Sequence, residues 1–130
     1  MNQLNHAKSD LEALYARQCE QYRLPAYERE YLFAAEAFDR RWRLDWYWPA
    51  YKLGVELHGL IVLRGAQGEG IVRGGHGTVA GITRDMDKAN AAILLHISVL
   101  TFCQSHVNSG DAIAMTQRAL TVRGWKRVAA

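Results

Sequence analysis

The sequence predicts an α/β domain in which helices flank a small mixed β-sheet, and three features of the 130-residue chain predict it. Residues 8–23 carry apolar side chains at helical spacing. Residues 41–63 alternate between polar and apolar or aromatic residues on both sides of Pro49. Residues 84–121 run helix, short β-branched strand, helix.

Each element has its own local reason. In the first helix Leu11, Leu14, Tyr15 and Cys19 recur on one face, Ser9 or Asp10 caps the start, and Pro25 ends it. Residues 27–38 fit a short strand over 30–33 followed by a loop, and fit a helix equally well. In 41–48 (RWRLDWYW) Trp42, Leu44, Trp46 and Trp48 point one way, and Arg41, Arg43, Asp45 and Tyr47 the other. Pro49 and Ala50 turn the chain into a second strand over 52–63, so the two form an antiparallel hairpin. A period of two puts Glu56 and His58 on one face of that strand. The stretch 64–81 is glycine-rich and reads as a long flexible loop, without the spacing of a phosphate-binding loop. A helix over 84–96 buries Met86, Ala89, Ile93 and Leu94; a strand over 97–102 follows. The closing helix over 110–121 faces Ala112, Ile113, Thr116, Ala119 and Leu120 inward. Residues 1–8 read as a flexible N-terminus, and 122–130 as a C-terminal tail, of one domain covering 1–130.

Composition narrows the class. Hydrophobic residues at 49% and charged residues at 22% exclude a disordered or fibrous chain. No apolar run approaches the ~20 residues that span a bilayer, and no long apolar block opens the chain, so neither a membrane span nor a secretory leader is expected. Cys19 and Cys103 form no CxxC pair, which argues against structural zinc. The net charge is only +3, but twelve of the sixteen basic residues are Arg, whose planar fork suits phosphate oxygens. Basic clusters stand at Arg40, Arg41 and Arg43, and at Arg118, Arg123, Lys126 and Arg127. This balance permits nucleic acid as a partner without requiring it.

The chemistry concentrates on the hairpin. Asp45 and Glu56 are carboxylates within otherwise apolar strands, and a turn near Pro49 lets them converge at one end of the sheet. Carboxylates brought together repel unless a cation lies between them, and hard oxygen ligands select Mg²⁺. His58 follows on the same face, able to transfer a proton or touch a phosphate.

These residues, taken in order, resemble the PD-(D/E)xK nuclease superfamily, closest to small phage-type endonuclease-like proteins related to the very-short-patch-repair endonuclease. An R-E-Y motif appears as Arg29-Glu30-Tyr31, followed by Arg41-Trp42-Arg43-Leu44-Asp45 and Trp48-Pro49. The second strand carries Val55-Glu56-Leu57-His58-Gly59. Gly74-Gly75-His76 matches a loop histidine, Asp85-Met86-Asp87-Lys88-Ala89-Asn90 a helix motif, and Val107-Asn108-Ser109-Gly110 the start of the closing helix. The resemblance covers about residues 10–121. It implies a restriction-endonuclease-like core and a Mg²⁺- or Mn²⁺-dependent endodeoxyribonuclease, cytoplasmic and bacterial or phage-encoded. Asp45 would be the central metal ligand, with Glu56 and Glu30 as further ligands. His58 and His76 would contact phosphate or move protons, and Arg40, Arg41, Arg43 and Arg73, with the loop 64–81, would embrace the DNA backbone.

Two departures bear on activity. The Lys that usually follows the second acid is His58, as in the repair-endonuclease branch, and Thr101 stands where the phage proteins carry Arg. Lys88 can replace the missing Lys from a helix, although the helical wheel sets it opposite the Met86–Ile93 stripe and toward solvent; Asn90 falls on the apolar side. A nuclease-fold module that binds DNA but cuts weakly or not at all is the alternative. One active site per chain means that a homodimer, or successive nicks, would sever both strands.

Overall fold

The two central strands are buried on both faces, between helices. The computed structural model describes residues 3–59, 61–64, 70–73 and 79–128. The order is α1 (Gln3–Gln21), β1 (Glu28–Leu32), α2 (Ala35–Phe38), β2 (Arg43–Trp48), a 3-10 turn (Pro49–Tyr51) and β3 (Leu53–His58). Then come β4 (Ile61–Arg64), β5 (Gly70–Arg73), α3 (Val79–Leu94), β6 (Ser98–Cys103), α4 (Gln104–Ser109) and α5 (Asp111–Val122). One four-stranded sheet runs β1-β2-β3-β6, and β4 pairs with β5 in a separate two-stranded sheet. β1, β2 and β3 form an antiparallel meander, while β6 lies parallel to β3, reached through α3. The sheet is mixed and flanked by helices, as expected. Among the described residues no helix is long and apolar enough to cross a membrane.

Two apolar layers cover the sheet. On one side Leu11, Tyr15 and Cys19 of α1, spaced by four, pack with Trp46, Trp48, Leu53, Val55, Leu57 and the inner face of α5. On the other, Phe33, Leu44 and Tyr47 pack with Ala91 and Ala92 of α3. Both cysteines are free thiols, and burial pushes Cys19 up to about 12. Ala112, Ile113, Thr116 and Leu120 are buried, which matches the face read for the closing helix.

The differences from the sequence reading have identifiable causes. Helix α1 begins at Gln3, so residues 3–8 are helical; nothing in that stretch, Gly or Pro, interrupts a helix. The strand expected over 52–63 ends at His58, and β4 leaves the main sheet. The stretch expected as a loop over 64–81 contains β5 and the first turn of α3. The tail after residue 122 is pinned by Trp125, which is buried and donates its N–H to the Leu120 carbonyl.

The aromatic strand does not keep one face. Trp46 and Trp48 join the α1 layer, whereas Leu44 joins Tyr47 on the α3 side, and Trp42 is half-buried there. Gly54 makes room for this: a Cβ on it would lie 2.7 Å from Leu44 Cδ1.

Helix α3 is turned from its expected orientation. Met86 and Ile93 are 60% and 69% exposed, Asn90 is exposed, and the buried residues are Gly81, Ala91 and Ala92. The alanines allow close approach to the sheet, and that face also carries Lys88 inward.

Candidate active site

The site lies where α1 meets the ends of β1, β2 and β3. Lys8, Glu12 and Tyr15 share one face of α1 by their spacing. Tyr15 anchors that face in the core, its ring edge-on to Trp46 at 4.9 Å and its hydroxyl 2.7 Å from Thr116 Oγ1. Gly59, just after β3, sets the distance. A Cβ there would stand 2.9 Å from Lys8 Cβ and 3.1 Å from Lys8 Cα, so only glycine admits the α1 backbone this close.

Asp45 is the hub. It is only 4% exposed. The β2–β3 ladder runs from Trp48↔Leu53 to Trp46↔Val55, and just beyond it the Leu57 N–H donates to Asp45 Oδ2 at 2.7 Å. Lys8 Nζ lies 3.4 Å from Asp45 Oδ1. The fields of Asp45, Glu12 and Glu56 outweigh the burial that would lower the pKa of Lys8, and they hold it above its ordinary value.

Glu12 and Glu30 complete a group of acids. One carboxylate oxygen from each of Glu12, Glu30 and Asp45 lies within 4.8 Å of the others. Glu30 sits in β1 with φ +51, a left-handed backbone that is costly for a non-glycine residue, on the order of 1–3 kcal/mol, and typical of functional positions. Its neighbours Arg29 and Tyr31 pair with Trp46 and Leu44, so Glu30 stands across from Asp45. Arg29 stabilises the cluster from below. Its guanidinium stacks 3.6 Å over the Trp46 ring, donates to Glu12 Oε2 at 3.3 Å, and donates through Nε to the Asp45 carbonyl at 3.2 Å. Burial, followed by the field of Asp45, raises the Glu12 pKa. Three carboxylates with no nitrogen or sulfur donor form the ligand chemistry that Mg²⁺ and Mn²⁺ take.

Glu56 belongs to the site but not to that triad. Its carboxylate pairs with Lys88 Nζ from α3. Burial raises its pKa first, the field of Asp45 and a hydrogen bond to it add to this, and Lys88 opposes; the result is a shift from 4.5 to about 7.

The expected site residues therefore divide. Asp45 and Glu30 converge, and Glu56 adjoins them through Asp45. Lys88, which the helical wheel pointed to solvent, faces the sheet and pairs with Glu56. His58 is half-buried beyond Glu56, lining the cavity between α3 and the sheet. His76 lies outside the described residues, as does the side chain of Arg73. Arg40, Arg41 and Arg43 are exposed before and at the start of β2, with Arg40 5.7 Å from the Trp42 ring.

Glu12, Lys8 and Arg29 were missed as site residues. The i, i+4 spacing of Lys8 and Glu12 is visible in the sequence, but nothing local says that this face of α1 meets the end of the sheet. Comparison of the chain with protein-family models, curated proteins and solved structures gives no significant match.

Proposed function

We propose that this protein is a metal-dependent DNA endonuclease with a restriction-endonuclease-like core. The observation that carries the proposal is the convergence of Glu12, Glu30 and Asp45 at one end of the sheet, with the Glu56–Lys88 pair beside them. The order of α1, a three-stranded antiparallel meander, crossover helix α3 and parallel β6 supports the core assignment.

Asp45, Glu12 and Glu30 would hold Mg²⁺ or Mn²⁺. When bound, the cation supplies Lewis acidity toward a phosphoryl oxygen and activates water. Arg29 fixes the Glu12 carboxylate and the backbone at Asp45. Lys88 supplies, from a helix, the cation that the strand lacks at His58, and it holds Glu56 against Asp45. The exposed Arg40, Arg41 and Arg43 are available to the DNA backbone, and two copies of the chain would be needed to cut both strands in one encounter.

A catalytically weak DNA-binding module is the second reading. It is favoured by one observation: Lys8 and Lys88 already give Asp45 and Glu56 internal counter-ions. Plasmid nicking in Mg²⁺ or Mn²⁺, compared between wild type and Asp45→Ala, separates the two. The nuclease reading expects metal-dependent nicking that Asp45→Ala removes by at least 100-fold. It also expects millimolar Mg²⁺ to raise the urea midpoint of wild type but not of Asp45→Asn. Binding without cleavage on nicked, mismatched and branched DNA would overturn it in favour of the module.

A further inference from the structure

Beside the acids, among the described residues, lies a cavity of ≈610 Å³ between α3 and the β3–β6 strands. It falls within the ~300–1,000 Å³ range of small-molecule sites. Lys8, which pairs with Asp45, and the Glu56–Lys88 pair belong to its lining, so the cavity adjoins the candidate metal centre. Its walls are apolar, with Leu44, Ala92, Ile97 and Val99, and its rim offers hydrogen-bonding groups at Thr101 and His96.

Charge decides what the cavity suits. Lys8 and Lys88 in its lining are each already paired with a carboxylate, Asp45 and Glu56, so neither ammonium is left to hold a phosphate. A phosphate gains little there and belongs with the divalent cation outside. A neutral group that carries both apolar surface and hydrogen-bonding edges suits the same lining.

We infer that the cavity receives a single unstacked nucleobase of the DNA whose phosphate lies at the acidic cluster. The identity of the polymer rests on the nuclease reading above. A base in a duplex is held between its stacked neighbours and cannot enter a space between a helix and a sheet, so this base must be extruded or already unpaired. The substrate class that follows is single-stranded, mismatched or otherwise unpaired DNA. Thr101 contributes an uncharged hydroxyl to the lining.

The test separates base binding from cleavage. In EDTA, deoxyadenosine and deoxycytidine are titrated into ¹³C-methyl-labelled protein, with 2-deoxyribose as the base-free control. The nucleosides are expected to shift the Val99 and Thr101 methyl signals at millimolar concentration, and the sugar to leave them in place. Thr101→Trp and Ala89→Trp, both at exposed positions on the lining, fill the space; each is expected to cut the Val99 shift at least five-fold while the spectrum stays that of a folded protein. In Mg²⁺, wild type is expected to cut an unpaired oligonucleotide at least ten-fold faster than its perfect duplex, and both tryptophan variants to lose that preference.

Equal shifts from 2-deoxyribose, or no shift from either nucleoside in folded wild type, overturn the inference. So does equal cleavage of paired and unpaired DNA. If no DNA is cut but the nucleosides bind and the tryptophans block them, the base site stands and the nuclease reading fails. If duplex is cut as fast as unpaired DNA, the nuclease reading stands and the base site fails.

Discussion

Glu56 turns the crowding of carboxylates into a measurable dependence of stability on pH. Its pKa is 4.5 in an ordinary setting and about 7 in the folded protein. A carboxyl whose pKa rises on folding contributes stability that is fully present below 4.5 and is lost as pH climbs through 7. At 1.36 kcal/mol per pH unit, the loss is about 3 kcal/mol. Glu12 shifts in the same direction, so the informative quantity is the difference between wild type and Glu56→Gln, which has no charge to titrate at that position. Urea unfolding in EDTA from pH 4 to pH 8.5 is expected to show wild type losing about 3 kcal/mol relative to Glu56→Gln across that window. The ¹³C signal of the Glu56 carboxyl should titrate near 7. Lys88→Met removes the cation that pulls this pKa down and should move the transition to higher pH; Asp45→Asn removes the neighbouring charge and should move it lower. A wild-type-minus-Glu56→Gln difference that stays constant with pH, or a carboxyl that titrates near 4.5, refutes the reasoning.

Two further substitutions test how the site is held. Gly59→Ala puts a methyl within 2.9 Å of Lys8 Cβ and against the α1 backbone. It should cost about 1–3 kcal/mol in urea unfolding and weaken the Lys8–Asp45 contact, and an unchanged midpoint would mean that α1 does not press on the end of β3. Thr116→Val takes from the buried Tyr15 hydroxyl its partner at 2.7 Å, Thr116 Oγ1, and leaves it the weaker Cys19 thiol. It should cost about 1–3 kcal/mol, and Tyr15→Phe added to it should recover part of that loss, since the hydroxyl that lost its better acceptor is then gone. Full additivity of the two changes would count against the pairing.

Periodicity and local chemistry were enough to read much of this chain. Leu11, Tyr15 and Cys19 announced the buried face of α1, the 41–63 pattern around Pro49 announced the hairpin although its second strand ends at His58, and Ala112, Ile113, Thr116 and Leu120 announced α5. Asp45 and Glu56 stood out because carboxylates are rare within apolar strands. These readings succeed because helix and strand periods are properties of a few consecutive residues. The face of α3 was misread for the same reason: the local rule chose the larger apolar stripe of Met86 and Ile93. The fold instead set Ala91 and Ala92 against the sheet and brought Lys88 to Glu56. Sequence could not tell that Glu12 and Lys8 would join Asp45, because that meeting depends on the close approach at Gly59 and on Arg29 stacking over Trp46. Sequence by itself determined the first helix, the hairpin and the closing helix, and which acids are out of place. Only the tertiary structure decided which of those acids meet, because their distances come from strand register and helix docking between residues far apart in the chain.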